Sequence, residues 1–307
     1  MTTIAVCIVG AQAGAQAVDM QHSMRVGDTL RYAVSLNVLT LKEGADQTEM
    51  GRIAQTAHLT LHAARAEEDG SLIIEGRFDR LTTFWRRGDT QYEFTWTRPD
   101  ADADAAPAAE PDNDKEEADT PASLFAAAHD ALVKSPFELR VSSAGEILGV
   151  RGLAALGVVR MGKGDPAMLG MLRPRLFAEA LGPIWDAAGA GAISKVGDTW
   201  KTERRVDLAP AGAILLLTRW SADSAGDGVL AASGIPEARV EAPDHPSPSQ
   251  PTMEIVRSGG SAGLEWSLTD GRLISWDESL DLGVRWTIGD LKIGLSQRSK
   301  RSLRRLD

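Results

Sequence analysis

Cysteine is almost absent from this chain, and that absence removes several kinds of active site. The 307-residue sequence holds one cysteine, Cys7. Because Cys7 lies in the predicted leader described below, we expect a mature chain with no disulfide, thiolate metal site or cysteine nucleophile. No apolar run reaches the roughly 18 residues that a membrane helix needs. Aromatic residues are few, and with 8 Trp against 2 Tyr and 6 Phe, tryptophan is the main aromatic residue.

An excess of basic charge is also lacking, and the net charge of −10 is concentrated in one acidic segment. Between Asp100 and Asp119 there are nine acidic residues and one lysine, a net −8, which leaves only −2 for the rest of the chain. Prolines occur throughout residues 98–121, and such a composition predicts an acidic disordered linker. The near-neutral remainder offers no basic groove, so the sequence does not predict a nucleic-acid partner.

The first seventeen residues have the features of a secretory leader. Residues 1–17 carry no charge, include an apolar run and end in Ala15-Gln16-Ala17, which predicts a signal peptide cleaved before Val18. The usual basic start is missing, which suggests a start codon further upstream, and a frayed cytosolic N-terminus is the alternative. We expect an exported protein, in the periplasm, in the cell envelope or secreted.

Alternating apolar residues predict a mainly β (α+β) fold with long, curved antiparallel sheets. Leu30, Tyr32 and Val34 begin one such run, and Thr269-Asp270-Gly271 is a strong hairpin turn. The pattern predicts a first antiparallel unit at residues 18–97 and a helical insert with one β-hairpin at residues 122–190. A second antiparallel unit follows at residues 191–307 and contains a proline-rich loop at residues 242–251. Whether the two units form separate half-barrel-like domains or one sheet stays open.

A short motif occurs twice, each time ahead of an alternating strand. Val26-Gly27-Asp28-Thr29 recurs as Val196-Gly197-Asp198-Thr199, followed by Trp200. Internal duplication and reuse of a good turn both explain it. At these residues the chain resembles exported β-rich bacterial families of unknown function in which a Gly-Asp-Thr-Trp step opens a strand. That resemblance implies a secreted or envelope protein and brings no catalytic residues. A looser architectural similarity is to lipoprotein carriers, whose curved sheet is plugged by helices and holds acyl chains, although none of their motifs is present.

Two groups of residues are candidates for binding. Five tryptophans fall in the second unit, where large rings line an apolar pocket or simply fill the core: Trp200, Trp220, Trp266, Trp276 and Trp286. Five basic residues near the C-terminus predict either a solvated tail or a peripheral contact with an anionic membrane: Arg298, Lys300, Arg301, Arg304 and Arg305.

Several motifs look like catalytic or cofactor sites but lack the required context. Gly259–Gly263 matches GxSxG, yet an alternating strand follows where the nucleophile elbow needs a helix, so we interpret it as a glycine-rich turn. Gly157–Gly164 resembles a phosphate-binding loop but has Gly164 where Ser or Thr holds magnesium. Asp277 and Glu278 are adjacent acids with no demonstrable cleft between them. The sequence therefore predicts no catalytic residue, cofactor or metal.

Three functions remain after these exclusions. The first is a non-enzymatic binding protein that holds a hydrophobic, lipid-like molecule or an envelope partner on a curved sheet. The second is a structural or protein-interaction module of the envelope. The third is a hydrolase of unknown type, which requires a cluster of polar groups in a cleft.

Overall fold

The computed structural model describes residues 24–43, 47–99, 120–153, 166–186, 196–207, 212–243 and 251–306. The predicted signal peptide lies outside these ranges, and so does the segment Gly157–Gly164 that resembles a phosphate-binding loop. Most of the predicted acidic linker and of the proline-rich loop also lies outside them. Among the described residues, no helix combines the length and the apolar character that crossing a bilayer requires.

Twelve strands form one antiparallel sheet, which confirms the predicted fold class. The strands are β1 Thr29–Lys42, β2 Thr48–Ala66, β3 Leu72–Arg87, β4 Thr90–Thr97, β5 Phe137–Val141, β6 Ile147–Arg151, β7 Thr199–Asp207, β8 Ala213–Gly226, β9 Val229–Glu241, β10 Thr252–Ser267, β11 Arg272–Ile288 and β12 Leu291–Leu306.

The strand order joins the two halves of the chain in the middle of the sheet. The order is β6-β5-β3-β2-β1-β12-β11-β10-β9-β8-β7, with β4 also paired to β3. β1 pairs with β12 over most of its length, from Arg31 opposite Leu306 to Lys42 opposite Leu295. The two predicted β units are therefore parts of one continuous sheet, which is not closed.

The sheet is strongly curved in its second half. Arg204 on the edge strand β7 donates a hydrogen bond from Nη2 to Oε1 of Glu278 on β11, at 3.0 Å. Three strands separate β7 from β11 in the sheet. Because neighbouring strands lie about 4.8 Å apart, a flat sheet would hold these two strands about 19 Å apart. The sheet therefore curls until side chains of its own inner face meet.

Four short helices in the described ranges cover the inner face, which we define as the face carrying Tyr32 and Trp276. They are α1 Pro121–Lys134, the 3-10 helix η1 Pro166–Leu172, α2 Pro174–Leu181 and α3 Pro183–Asp186. Thr120 caps α1 in a capping box with Ser123. Pro174 separates η1 from α2, because proline has no N–H for a preceding turn but suits the first position of a helix.

The core lies between these helices and the inner face of the sheet. Its largest fully buried side chains include Tyr32, Phe78, Phe125, Phe177, Trp185 and Trp266. Gln55 on β2 attaches η1 to the sheet, since its Oε1 accepts from Met171 N at 2.6 Å and its Nε2 donates to Leu169 O at 3.0 Å. A second, smaller apolar cluster fills the curled half with Ile214, Leu216, Leu280, Leu282 and Val284.

Two sequence predictions are corrected by the strand pairing. The five basic residues do not form a tail, because all of them lie in β12 between β1 and β11. Gly259–Gly263 is not a turn but the middle of β10, paired with Asp277–Asp281 of β11. A side chain at Gly260 would collide with the carbonyl oxygen of Ser279. Glycine at this position allows β10 and β11 to approach each other closely, and it does not form a turn.

Candidate functional site

A cavity of about 170 Å³ lies between the curled part of the sheet and the α2–α3 corner. Its apolar walls are Leu216 and Trp220 of β8 and Trp276 of β11. Its polar side is formed by Thr202 and Arg204 of β7, Thr218 of β8, Glu278 of β11 and Glu179 of α2, and the exposed Glu203 of β7 also lines it. The cavity thus combines aromatic surface with charged groups on one inner face.

The five predicted tryptophans are not all at this cavity. Trp220 and Trp276 line it, and Trp200 stacks on Trp220 with ring centroids 5.9 Å apart and planes 10° from parallel. Trp266 is completely buried in the main core. Trp286 packs against the smaller apolar cluster. We therefore keep Trp220 and Trp276, supported by Trp200, as pocket candidates and place the other two in packing roles.

Two arginines and two glutamates form a buried charged cluster, of which Arg204, Glu278 and Glu179 line the cavity, while Arg301 lies opposite Glu278 in the β11–β12 pairing. We call Arg204, Glu278, Arg301 and Glu179 the inner charge cluster. Nη1 of Arg301 lies 3.9 Å from Oε2 of Glu179, and the Arg204–Glu278 pair is closer, at 3.0 Å. Their side chains are between 6% and 19% exposed. Burying four charges is costly, and removing one member of such a pair typically costs about 3–5 kcal/mol.

The buried polar atoms of the inner charge cluster include two donors and one acceptor without a hydrogen-bond partner among the described residues, the acceptor being Oε2 of Glu179. Among the described residues, the Nε atoms of Arg204 and Arg301 are buried and have no acceptor. The indole Nε1 of Trp200 is likewise buried without an acceptor. Burial and, to a smaller extent, the neighbouring Arg204 cation lower the pKa of Arg301 to about 10, against the opposing effect of Glu278 and Glu179. An anion beside Arg204 would give its unmet Nε an acceptor and would offset the repulsion between the two cations.

The sequence did not predict the charged residues of this site, although two of them occupy strand positions that the alternating pattern assigns to apolar residues. Glu278 occupies the inward phase of β11, between the buried Trp276 and Leu280. Arg204 occupies the same phase of β7 as Trp200 and Val206. A charged residue in an apolar phase of a strand is a candidate for a buried ionic site, but its partner cannot be named before the curvature is known.

Other hollows lack this combination of features. A hollow of about 440 Å³ on the outer face is lined by small polar side chains such as Ser35, Thr56 and Ser302, beside Asp277 and Lys300. A groove of about 250 Å³ lies against Val38, Ile53 and Trp85 at the far end of β1–β3. Adjacent Asp277 and Glu278 point to opposite faces, so they do not face each other across a cleft. Within the described ranges, no three His, Cys, Asp or Glu residues form a metal-ligating group.

Comparison with known proteins gives no assignment from sequence. No protein-family model matches the chain, and no curated protein matches it. A solved structure that describes lipid–protein interactions in lipovitellin matches this chain. The TM-score is 0.45, and the identity is 10% over 92% of this chain. This chain spans only 25% of the lipovitellin chain.

Two outer-membrane proteins also share a general resemblance. An outer membrane channel from Pseudomonas putida F1 matches with TM-score 0.19 and 9% identity over 93% of this chain and 97% of the channel. The translocator domain of autotransporter NalP from Neisseria meningitidis matches with TM-score 0.21 and 10% identity over 92% of this chain and 90% of that domain. At these scores the likeness is to extended antiparallel sheets in general, and it assigns no ligand.

Proposed function

We propose that this chain is an exported, non-catalytic binding protein that holds a hydrophobic, lipid-like molecule on the inner face of its curved sheet. The observation that carries the proposal is the cavity walled by Leu216, Trp220 and Trp276. Apolar cavities of roughly 150 Å³ are large enough to bind a molecule such as benzene. This cavity therefore takes the end of a ligand and its first few carbon atoms, and a longer chain continues outward.

The position of the cavity also supports binding of an apolar molecule. Leu216 belongs both to the cavity wall and to the smaller apolar cluster of the curled half. Helices fill most of the remaining inner face with buried side chains. The curled half is therefore the part of the inner face where a guest molecule meets apolar surface without displacing a helix.

Native mass spectrometry of the purified full chain tests the proposal. We expect a narrow range of bound masses that organic extraction removes. Leu216→Trp should fill the cavity and abolish the bound masses. Ile235→Trp is the matched control, because Ile235 is 64% exposed and adds the same ring away from the cavity. If wild type and both variants are equally ligand-free, and no added decanol or decanoate binds, the proposal is refuted.

The second candidate function is a protein-interaction module of the envelope, favoured by the edges of the sheet. β7 ends the sheet, so one side of this strand has no β partner within the described part of the chain. An open strand edge is a template for pairing with another chain. Pull-down with an envelope fraction, using Thr202→Pro on β7 as the disrupting variant, tests this alternative.

Peripheral membrane contact would use the outer face and not a tail. Arg298, Lys300 and Arg304 are exposed on the outer face of β12. Arg301 and Arg305 point to the inner face, where Arg305 pairs with Asp270 at 2.8 Å. Sedimentation with anionic vesicles, comparing wild type with the three exposed residues changed to Gln, tests this contact.

A further inference from the structure

The polar side of the cavity carries information about the kind of ligand that would bind. This step rests on the proposed binding function and adds the chemical class of the ligand. Arg204 lines the cavity, and its Nη2 is used by Glu278 while its Nε is buried without an acceptor. A buried donor that is left unpaired costs free energy, and a ligand that supplies an acceptor recovers it.

We propose that the cavity binds the anionic headgroup, a carboxylate or a phosphate, of an amphipathic molecule, and that Arg204 recognises that group. Guanidinium groups are suited to this, because their donors form a planar fork that matches carboxylate and phosphate oxygens. Leu216, Trp220 and Trp276 then contact the apolar part next to the headgroup.

The second cation of the cluster supports an anion over the other charge types. Arg301 lies opposite Glu278, the hydrogen-bond partner of Arg204, and the two positive charges repel each other. A cationic headgroup would add a third positive charge beside them. A neutral hydroxyl would satisfy one donor but leave the repulsion unchanged. An anion supplies the acceptor that Arg204 lacks and offsets the repulsion between the cations, so we favour an anionic ligand.

Glu278 acts as an internal competitor for the same arginine. Its carboxylate already accepts a hydrogen bond from Nη2 of Arg204, and its side chain is only 6% exposed. An incoming anion must share Arg204 with Glu278 or displace it. Removing the charge of Glu278 should therefore strengthen anion binding, whereas removing the charge of Arg204 should abolish it. A purely structural ion pair would not make these two changes act in opposite directions.

Titration calorimetry with three ligands of equal chain length tests the inference. Decanoate, decanol and decylamine are titrated into wild type, Arg204→Gln, Arg204→Lys and Glu278→Gln, with acetate and inorganic phosphate as short anions. We expect wild type to bind decanoate about 10- to 100-fold more tightly than decanol, which corresponds to charge-assisted hydrogen bonds. Arg204→Gln should remove that preference, Arg204→Lys should keep part of it, and Glu278→Gln should increase it.

The matched control is Arg219→Gln. Arg219 lies on the neighbouring strand β8, is 56% exposed and pairs with Glu237 at 2.9 Å on the outer face. Its loss should leave the decanoate preference unchanged. If Arg204→Gln does not fold, as judged by circular dichroism, Arg204→Lys and Glu278→Gln decide the question.

Each outcome separates the headgroup inference from the proposed function. Equal binding of decanoate and decanol by wild type overturns the anionic headgroup and leaves the binding function standing. Weaker decanoate binding by Glu278→Gln overturns the competitor role and with it the assignment to Arg204. Tight binding of acetate or phosphate alone shows a site for free anions and overturns the amphipathic ligand. Absence of binding by all three decyl compounds, together with native mass spectra that show no bound ligand, refutes the binding function itself.

Discussion

Protonation of His129 should destabilise the fold in mildly acidic solution. His129 is completely buried on α1, against the rings of Phe94 and Phe125 at 5.2 and 4.2 Å. Its Nδ1 contacts the Phe125 carbonyl oxygen at 2.8 Å, and its Nε2 has no hydrogen-bond partner among the described residues. Burial lowers its pKa from 6.5 to about 4, against a smaller raising effect of the Phe125 bond. The native state therefore holds the neutral imidazole.

The sign and size of the effect follow from proton linkage. The pKa of the folded state is the lower one, so between pH 6.5 and about 4 the unfolded chain binds a proton that the folded chain does not. Stability is therefore fully present above pH 6.5 and is lost as the pH falls to about 4. At 1.36 kcal/mol per pH unit, the loss by pH 4.5 is about 2 to 3 kcal/mol.

Urea unfolding at several pH values measures this loss directly. Wild type, His129→Leu and His62→Gln are unfolded at pH 7.0, 6.0, 5.0 and 4.5, values chosen around the ordinary pKa of about 6.5. Carboxylates contribute to the slope of all three proteins, so the difference between wild type and His129→Leu isolates His129. That difference should change by about 2 to 3 kcal/mol over the range. His62, on the outer face, serves as the control.

The reasoning is refuted by parallel curves. If wild type and His129→Leu lose the same free energy of unfolding between pH 7 and 4.5, His129 titrates alike in both states. We also expect His129→Leu to be close to wild type at pH 7, because an apolar group of similar size replaces a side chain with an unmet polar atom.

Three further changes test the packing of the sheet. Tyr32→Phe should lower the free energy of unfolding by about 1 kcal/mol, because the Tyr32 hydroxyl donates to Leu273 O at 3.0 Å in the buried core; a chemical denaturation curve matching wild type would contradict this. Gly76→Ala should cost about 1–3 kcal/mol, since the new methyl group would overlap the ring of Phe137; an unchanged melting temperature would contradict it. Asp227→Ala should cost about 1 kcal/mol at a left-handed turn position with φ 53°, whereas Asp227→Asn should be neutral; equal stability of the two variants would count against the strain.

Local alternation was sufficient to predict the class of fold but not its central junction. Leu30, Tyr32 and Val34 alternate as expected for a half-buried strand, and they form β1. The last strand has no such pattern, because its inward positions include Arg301 and Arg305. Those arginines face acidic side chains from α2 and β11 and from the β10–β11 turn, Glu179, Glu278 and Asp270. Partners so distant in sequence leave no local signal, so β12 looks like a solvated tail.

The candidate site was half predictable for the same reason. Large rings on the second half of the chain pointed to Trp220 and Trp276, which line the cavity. Curvature, which brings Arg204 to Glu278, depends on the pairing of all the strands between them. Residue type suggests which side chains are suited to a pocket, whereas the curvature of the sheet decides which of them meet.

The β1–β12 junction has a consequence for synthesis. β1 is among the first strands to leave the ribosome, and β12 is the last strand of the described chain. Until β12 is made, one edge of β1 and one edge of β11 lack the neighbour that they have in the native sheet. Uncovered strand edges attract other chains, so the nascent polypeptide needs protection from self-association for nearly the whole of its translation. A holdase that keeps the chain extended would provide that protection.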